Sequence, residues 1–330
     1  METTKAQYTI ISDHNLQQII QDTYGITPIN CLLLMNELSE VYMIETKSLK
    51  YILKIYSAMH TNPEEVSAEI ELLNCLHEGG VSVSYPIKNN KGSDIIFFES
   101  QKGSAFGVLY SCAPGQVSYY MNEEQVAAVA REIASMHNIT ARLQLKHKRR
   151  PLSIDNLLFN SLEKIKTAFA DLHEDYNYLI RLSERIKMKL MDIDLDQCSY
   201  GYCHYDLLPH NFHFDEHGHV TFFDFELCGE GYLINDLVSF YAHYFLQLMH
   251  SRITHEEANR AFFLLIKNYT KVRPLTSIEI EVFPYFGFAF WIYHIAFDYK
   301  HFADRSHPGY LQDQVSYIRK WTEWYLQDKL

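Results

Sequence analysis

The 330-residue chain has no Cys-x-x-Cys pair, and its six cysteines, Cys31, Cys75, Cys112, Cys198, Cys203 and Cys228, are scattered. A chain of this length buries a core without disulfide staples, so buried thiols in a reducing cytoplasm are the expectation. No uninterrupted apolar run of about 18 residues occurs, and the aromatic stretch from Phe283 to Phe297 reads as too short to span a bilayer. No membrane partner is therefore expected. The opening Met1-Glu2-Thr3-Thr4-Lys5 lacks a cationic segment followed by an apolar one, so no signal peptide is expected either. Positive charge is also scarce: 29 Lys and Arg against 41 Asp and Glu leave a formal net charge of -12. Phosphate backbones require clustered cations, so no nucleic-acid partner is expected. The one basic run, Lys146-His147-Lys148-Arg149-Arg150, reads as a solvated connector between helices. Internal repeats and low-complexity segments are absent.

What is present suits a packed globular fold. Hydrophobic residues make up 47% of the chain and charged residues 21%, with 24 Tyr and 20 Phe to fill the interior. Ser12 or Asp13 caps a first helix carrying Leu16, Ile19 and Ile20, and Gly25 stops it. Residues 31 to 56 take on a β texture, with strands at 41–44 and 51–56. Asn62-Pro63-Glu64-Glu65 then opens a helix with Val66, Ile70, Leu73 and Leu76 on one face, closed by Gly79-Gly80. Strands are expected at 81–87, 94–99 and 105–110, before Ala113-Pro114-Gly115 breaks the pattern. Beyond it the chain reads as helical (123–139, 155–169, 176–191, and from Leu233 onward). A short β island interrupts it between 200 and 226. The economical reading is α+β, a small antiparallel-sheet lobe over residues 1–110 and a mainly helical lobe over 116–330, joined by a hinge at 111–115.

The residues that carry chemistry lie in that island. His204-Tyr205-Asp206-Leu207-Leu208-Pro209-His210-Asn211 is followed by Phe223-Asp224-Phe225-Glu226. Phosphoryl transfer from ATP needs metal ions on the phosphate oxygens and a carboxylate to orient the attacking hydroxyl. An Asp and an Asn five positions apart on one loop can supply the base and an amide oxygen for the metal. A second Asp, eighteen positions after the first at a strand end, can bind the same metal. His-x-Asp-x₄-Asn followed by such an Asp is the arrangement of protein kinases. A transition-metal site built from His204, His210, His213, His217 and His219 is set aside. His217 and His219 flank Gly218 in an expected turn, and no His-x-x-x-His helix spacing accompanies them. Lys54, alone in an apolar strand, is the candidate cation for the nucleotide phosphates. Its carboxylate partner is expected from the next helix, with Glu69 facing the required side and Glu65 and Glu71 as rivals. Asp236 is expected to brace the catalytic loop by hydrogen bonds.

On these residues the chain resembles the aminoglycoside phosphotransferase/choline kinase family, whose members share a two-lobed protein-kinase-like fold. The resemblance runs through the Lys54 strand, Glu69-Ile70-Glu71-Leu72-Leu73, Val108 to Gly115, Ala134-Ser135-Met136-His137, both island segments and Asn235-Asp236-Leu237. Phe222 to Gly229 is similar to the bacterial branch of homoserine-kinase-like and stress-response kinases. The resemblance implies Asp206 as catalytic base, Asn211 and Asp224 as Mg²⁺ ligands, and Lys54 with Glu69 on the ATP. It also implies backbone groups of Ser111 and Ala113 on the adenine edge. The expected activity is transfer of the γ-phosphate to a hydroxyl of a small molecule (an amino alcohol, a sugar or an aminoglycoside-like compound) by a monomer or homodimer. The alternative is a nucleotide-binding pseudokinase that regulates a partner; a Ser/Thr protein kinase is the third reading. Two departures from the family pattern bear on this. Met35-Asn36-Glu37-Leu38-Ser39-Glu40 replaces a Gly- or Ser-rich phosphate-covering hairpin, so Glu37 and Glu40 must point away from phosphates. Tyr205 stands where a small residue is commoner, and a ring there is expected to narrow the acceptor pocket. Phe283, Phe286 and Phe290 read as a core stripe, and Glu226, Glu230 and Asp298 as acids suited to a cationic acceptor.

Overall fold

The β texture read between residues 31 and 56 folds as the first three strands of a five-stranded sheet. The computed structural model describes residues 13–37, 39–57, 62–100 and 103–330; Ser12 and Leu38, named above, lie outside them. After α1 (Asp13–Tyr24) come β1 (Asn30–Asn36), β2 (Ser39–Glu45), β3 (Lys50–Ser57), α2 (Pro63–Glu78), β4 (Ile95–Ser100) and β5 (Gly103–Ser111). The sheet order is β1-β2-β3-β5-β4, antiparallel throughout. Its register decides which side chains share a face. Tyr42 lies opposite Leu53, and Leu53 opposite Leu109. That face packs on Leu16, Ile20 and Tyr24 of α1. Val41 lies opposite Lys54, and Lys54 opposite Val108, so Lys54, Tyr56 and Tyr110 line the other face.

α2 starts where capping chemistry predicts: the Asn62 side chain accepts from the Glu64 N–H at 2.9 Å, and Pro63 occupies the first turn. The strand expected at 81–87 does not form. This segment makes isolated bridges only, Val83 with Phe222 and Pro86 with Tyr110. Its backbone groups divide between two partners, since Ser84 N–H donates to Phe222 O and Ile87 N–H to Leu109 O. Pro86 has no N–H to contribute to a ladder.

Residues up to Pro114, with 145–148 and 221–226, form one compact unit; 115–144, 149–220 and 227–330 form a second. The second unit contains α3 (Glu123–Thr140), β6 (Pro151–Leu152), α4 (Ile154–Leu157), α5 (Phe159–Ile165), α6 (His173–Met191) and β7 (Tyr200–Cys203). It continues with β8 (Phe212–Phe214), β10 (Gly229–Tyr232), α7 (Ile234–Met249), α8 (His255–Tyr269), α9 (Ser277–His301) and α10 (Pro308–Tyr325). β9 (Val220–Phe222) enters the first unit from Thr221 onward. β10 pairs with β6 in parallel and with β7 antiparallel, a small sheet that sequence periodicity did not reveal. The single helix expected at 155–169 breaks at Leu158 (φ −96°, ψ −76°). Leu157 and Leu158 are both fully buried at the break.

Three further expectations are corrected. α9 has 25 residues and, by length and composition, could cross a membrane; the expectation that it is too short fails. It is instead a core helix, with Phe283, Phe286, Phe288, Phe290 and Trp291 buried within the fold. The basic run is solvated only in part. Lys146 and His147 donate their backbone N–H groups to Glu71, whereas Arg149 is buried and its Nε donates to Cys228 O at 2.8 Å. Finally, Glu230 is exposed on β10, and Asp298 is committed to Arg305 at 2.8 Å and to the Tyr310 hydroxyl.

Candidate active site

The sheet unit holds a buried lysine among three acids. Lys54 sits mid-strand on β3, and its Nζ lies 2.9 Å from Asp224 Oδ1 and 2.6 Å from Glu226 Oε2. Glu69, buried on α2, is the third carboxylate acting on it. Burial works against the ammonium charge, but Asp224, Glu226 and Glu69 more than offset it, holding the Lys54 pKa well above the usual lysine range. Tyr56 and Tyr110 join hydroxyl to hydroxyl at 3.2 Å on the same face. Burial, with Glu69 nearby, keeps both phenols un-ionised. Of the rivals to Glu69, Glu71 is occupied with the backbone at 146 and 147.

The segment carrying Asp224 is anchored before it reaches the lysine. Ser84 N–H donates to Phe222 O at 2.8 Å, Phe222 N–H to Ser82 O at 3.0 Å, and the Ser82 and Thr221 hydroxyls meet at 2.8 Å. Asp224 itself adopts φ +60°, a left-handed conformation that costs a non-glycine residue about 1 kcal/mol. Ser111, at the end of β5, donates its N–H to Tyr85 O at 2.9 Å, and its carbonyl accepts the Ser84 hydroxyl. Ala113 is buried two residues later. Glu40 resolves one doubt about the hairpin. It pairs with Ile55 rather than Lys54, so it points to the α1 face, where the Tyr42 hydroxyl donates to it at 3.0 Å. Glu37 is exposed.

The helical unit holds the other named residues. β7 runs into a loop turned by Tyr205 at φ +67°. Asp236, fully buried on α7, accepts from Tyr205 N–H at 2.7 Å and His204 N–H at 3.0 Å, and lies 3.0 Å from His137 Nε2. This is the brace expected of it. His137 Nδ1 in turn meets the Tyr269 hydroxyl at 2.9 Å. Because a carboxylate only accepts, Nε2 carries a hydrogen and donates it to Asp236. Leu207 N–H donates to Ser239 Oγ at 2.6 Å, and Asp206 N–H to His204 Nδ1 at 3.2 Å. Within the loop, Asn211 Nδ2 donates to both the backbone oxygen and Oδ2 of Asp206, each at 2.8 Å. That orientation turns the Asn211 amide oxygen away from Asp206, as a group for an oxygen-seeking cation.

Tyr205, the ring expected to narrow the acceptor pocket, is packed inside the helical unit. Its ring is fully buried against Phe290, Tyr293 and His294, with centroids 5.2 to 6.2 Å away. His137, named above only within a family segment, was given no role, and Ser239, Tyr269 and the pairing of Glu226 with Lys54 were missed by the sequence reading. A partial signal existed: Asp236 and Ser239, three apart, share a helical face, and His137 interrupts an apolar stripe.

Comparison with known proteins bears on family and fold. The "Phosphotransferase enzyme family" model matches residues 34–275. An uncharacterised protein of Synechocystis is 28% identical over 274 residues, 82% of this chain and 74% of that protein. Amicoumacin kinase of Bacillus subtilis is 27% identical over 217 residues, 65% of this chain and 63% of its own length. Among solved structures, the microcompartment-associated aminopropanol kinase shares the fold with a TM-score of 0.75 at 18% identity, covering 96% of this chain and 98% of that one. An amicoumacin kinase in complex with AMP-PNP and Ca²⁺ does so with a TM-score of 0.74 at 19% identity, over 97% and 95% of the two chains. The fold is therefore kinase-like, and the chain belongs to the phosphotransferase enzyme family.

Proposed function

We propose that the protein transfers the γ-phosphate of ATP to a hydroxyl of a small molecule, with Asp206 as the base. The observation that carries this reading is the braced loop on which Asp206 and Asn211 lie side by side, its backbone held by Asp236 and Ser239. Asp206 would orient the acceptor hydroxyl and take its proton, and Lys54 would hold the donor phosphates. The donor set suits Mg²⁺: the Asn211 amide oxygen and the Asp224 carboxylate are hard oxygen ligands, and the acids around Lys54 outnumber it three to one. When bound, the ion would neutralise phosphate oxygen charge. The Ser111 carbonyl keeps a second lone pair beside the one used by Ser84, and this supports its role, with Ala113, at the adenine edge. We place the activity in the cytoplasm, a reading supported by six cysteines with no disulfide, all among the described residues. Amicoumacin kinase and aminopropanol kinase, whose fold this chain shares, lend weight to a small-molecule acceptor.

The test is Asp206→Asn assayed with Mg-ATP against amino alcohols, sugars and aminoglycosides. Turnover is expected to fall about 10²- to 10⁴-fold, with nucleotide affinity retained. Near wild-type turnover would refute the base assignment. Tight Mg-ATP binding without transfer to any acceptor would favour the pseudokinase reading.

A further inference from the structure

Buried polar groups in folded proteins are almost always hydrogen-bonded, so a cluster that is not marks a place where a ligand or water belongs. Among the described residues, five such atoms gather on α7, α9 and the catalytic loop. They are Tyr205 Oη, Tyr244 Oη, Gln247 Oε1, Trp291 Nε1 and His294 Nε2. Tyr205, Gln247 and Trp291 are more than nine-tenths buried. The elements that carry these atoms are neighbours. Tyr241 meets Phe283 and Phe245 meets Trp291, so α7 and α9 lie side by side and run in the same direction. Tyr244 and Gln247 share one helical face, as do Trp291 and His294. Tyr205, the neighbour of Asp206, stacks on His294 at 6.2 Å and 14°. His210, on the same loop, acts electrostatically on His294 and on His243 of α7, so both helices flank the loop.

The identity of these atoms restricts what they bind. The Trp291 indole N–H can only donate, so its partner must accept; a protonated amine cannot. Gln247 Oε1 can only accept, so its partner must donate; a carboxylate cannot. A hydroxyl does both. Asp298, the carboxylate nearest to His294 on α9, is already held by Arg305 and Tyr310. Resting on the phosphotransferase reading above, we propose that Tyr244, Gln247, Trp291 and His294 form an acceptor subsite beside the catalytic loop. It recognises an uncharged, hydroxyl-bearing part of the acceptor, as in a polyol, rather than an ammonium group.

The test pairs neutral and amino compounds: D-glucose with D-glucosamine, and glycerol with 3-amino-1,2-propanediol. Binding is read by Trp291 fluorescence against a Trp291→Phe background, and transfer by ADP release. The neutral member of each pair should bind at least about tenfold more tightly. Tyr244→Phe and Gln247→Leu should each raise its KM and its dissociation constant by about tenfold while the KM for ATP stays within twofold, the loss of one buried hydrogen bond. Calorimetry on the same variants, with melting midpoints checked, keeps the test independent of the tryptophan and of misfolding. Binding that follows this pattern without phosphate transfer would uphold the subsite and overturn the phosphotransferase reading. Transfer that favours the amino member, or absence of binding by both neutral compounds, would overturn the subsite while leaving that reading intact.

Discussion

The Asp236→Asn variant isolates the brace on the catalytic loop. The Asp236 carboxylate receives Tyr205 N–H on Oδ1 and both His204 N–H and His137 Nε2–H on Oδ2, all at 2.7 to 3.0 Å and without solvent. An asparagine must place its NH₂ against one of these sets. The cheaper choice faces the amide hydrogens to Tyr205 N–H, losing one hydrogen bond to a charged acceptor and leaving two donors opposed. A hydrogen bond to a charged group contributes roughly 1.5–3 kcal/mol, so a loss of about 2–3 kcal/mol is expected. For a unit of some two hundred residues that lowers the melting temperature by about 5–10 °C. All three tryptophans, Trp291, Trp321 and Trp324, lie on α9 and α10, so intrinsic fluorescence during denaturation reports this unit alone. Turnover should fall as well, because Tyr205 N–H and His204 N–H adjoin Asp206. An unfolding midpoint and a turnover both equal to wild type would refute the brace.

Other perturbations test different links. Gly115 has φ +81°, and a Cβ there would lie 1.9 Å from Phe214 O, so Gly115→Ala should destabilise the protein by more than about 1 kcal/mol in urea titration. Lys54→Met removes the cation between Asp224 and Glu226. It should lower kcat/KM for ATP by about a hundredfold or more in a coupled assay, while unfolding shifts modestly because Asp224 is 42% exposed. His294 has its pKa pushed down to about 4 by burial, against about 6.5 unfolded. Between those values the unfolded chain binds more protons, so this contribution is full above about pH 6.5 and lost as pH falls toward 4. It amounts to about 3 kcal/mol. His294→Gln should flatten that part of the stability profile, measured as urea midpoint against pH; an unchanged slope would count against the buried neutral imidazole.

Local chemistry was legible wherever one stretch of chain decided it. Asn62-Pro63 opened α2, alternation marked β2 and β3, and the spacing of Asp206 and Asn211 brought their side chains to 2.8 Å on one loop. Backbone propensity and short-range geometry act over a few residues, so sequence suffices for them. Elements whose partners lie far along the chain were not legible. The 81–87 segment alternates like a strand, yet its hydrogen bonds divide between Phe222 and the end of β5. β6 and β10 contain two and four residues, too few for periodicity to register, and exist because they pair with each other and with β7.

By itself, then, the sequence determined the α+β composition, the order of most elements and the loop that carries Asp206 and Asn211. Only the tertiary structure decided that Lys54 rests on Asp224 and Glu226, 170 and 172 positions away, that Glu40 faces α1, and that Tyr205 is packed into α9. Those outcomes depend on register and on which faces meet, where a one-residue slip reverses every side chain. No local pattern along the chain encodes that choice.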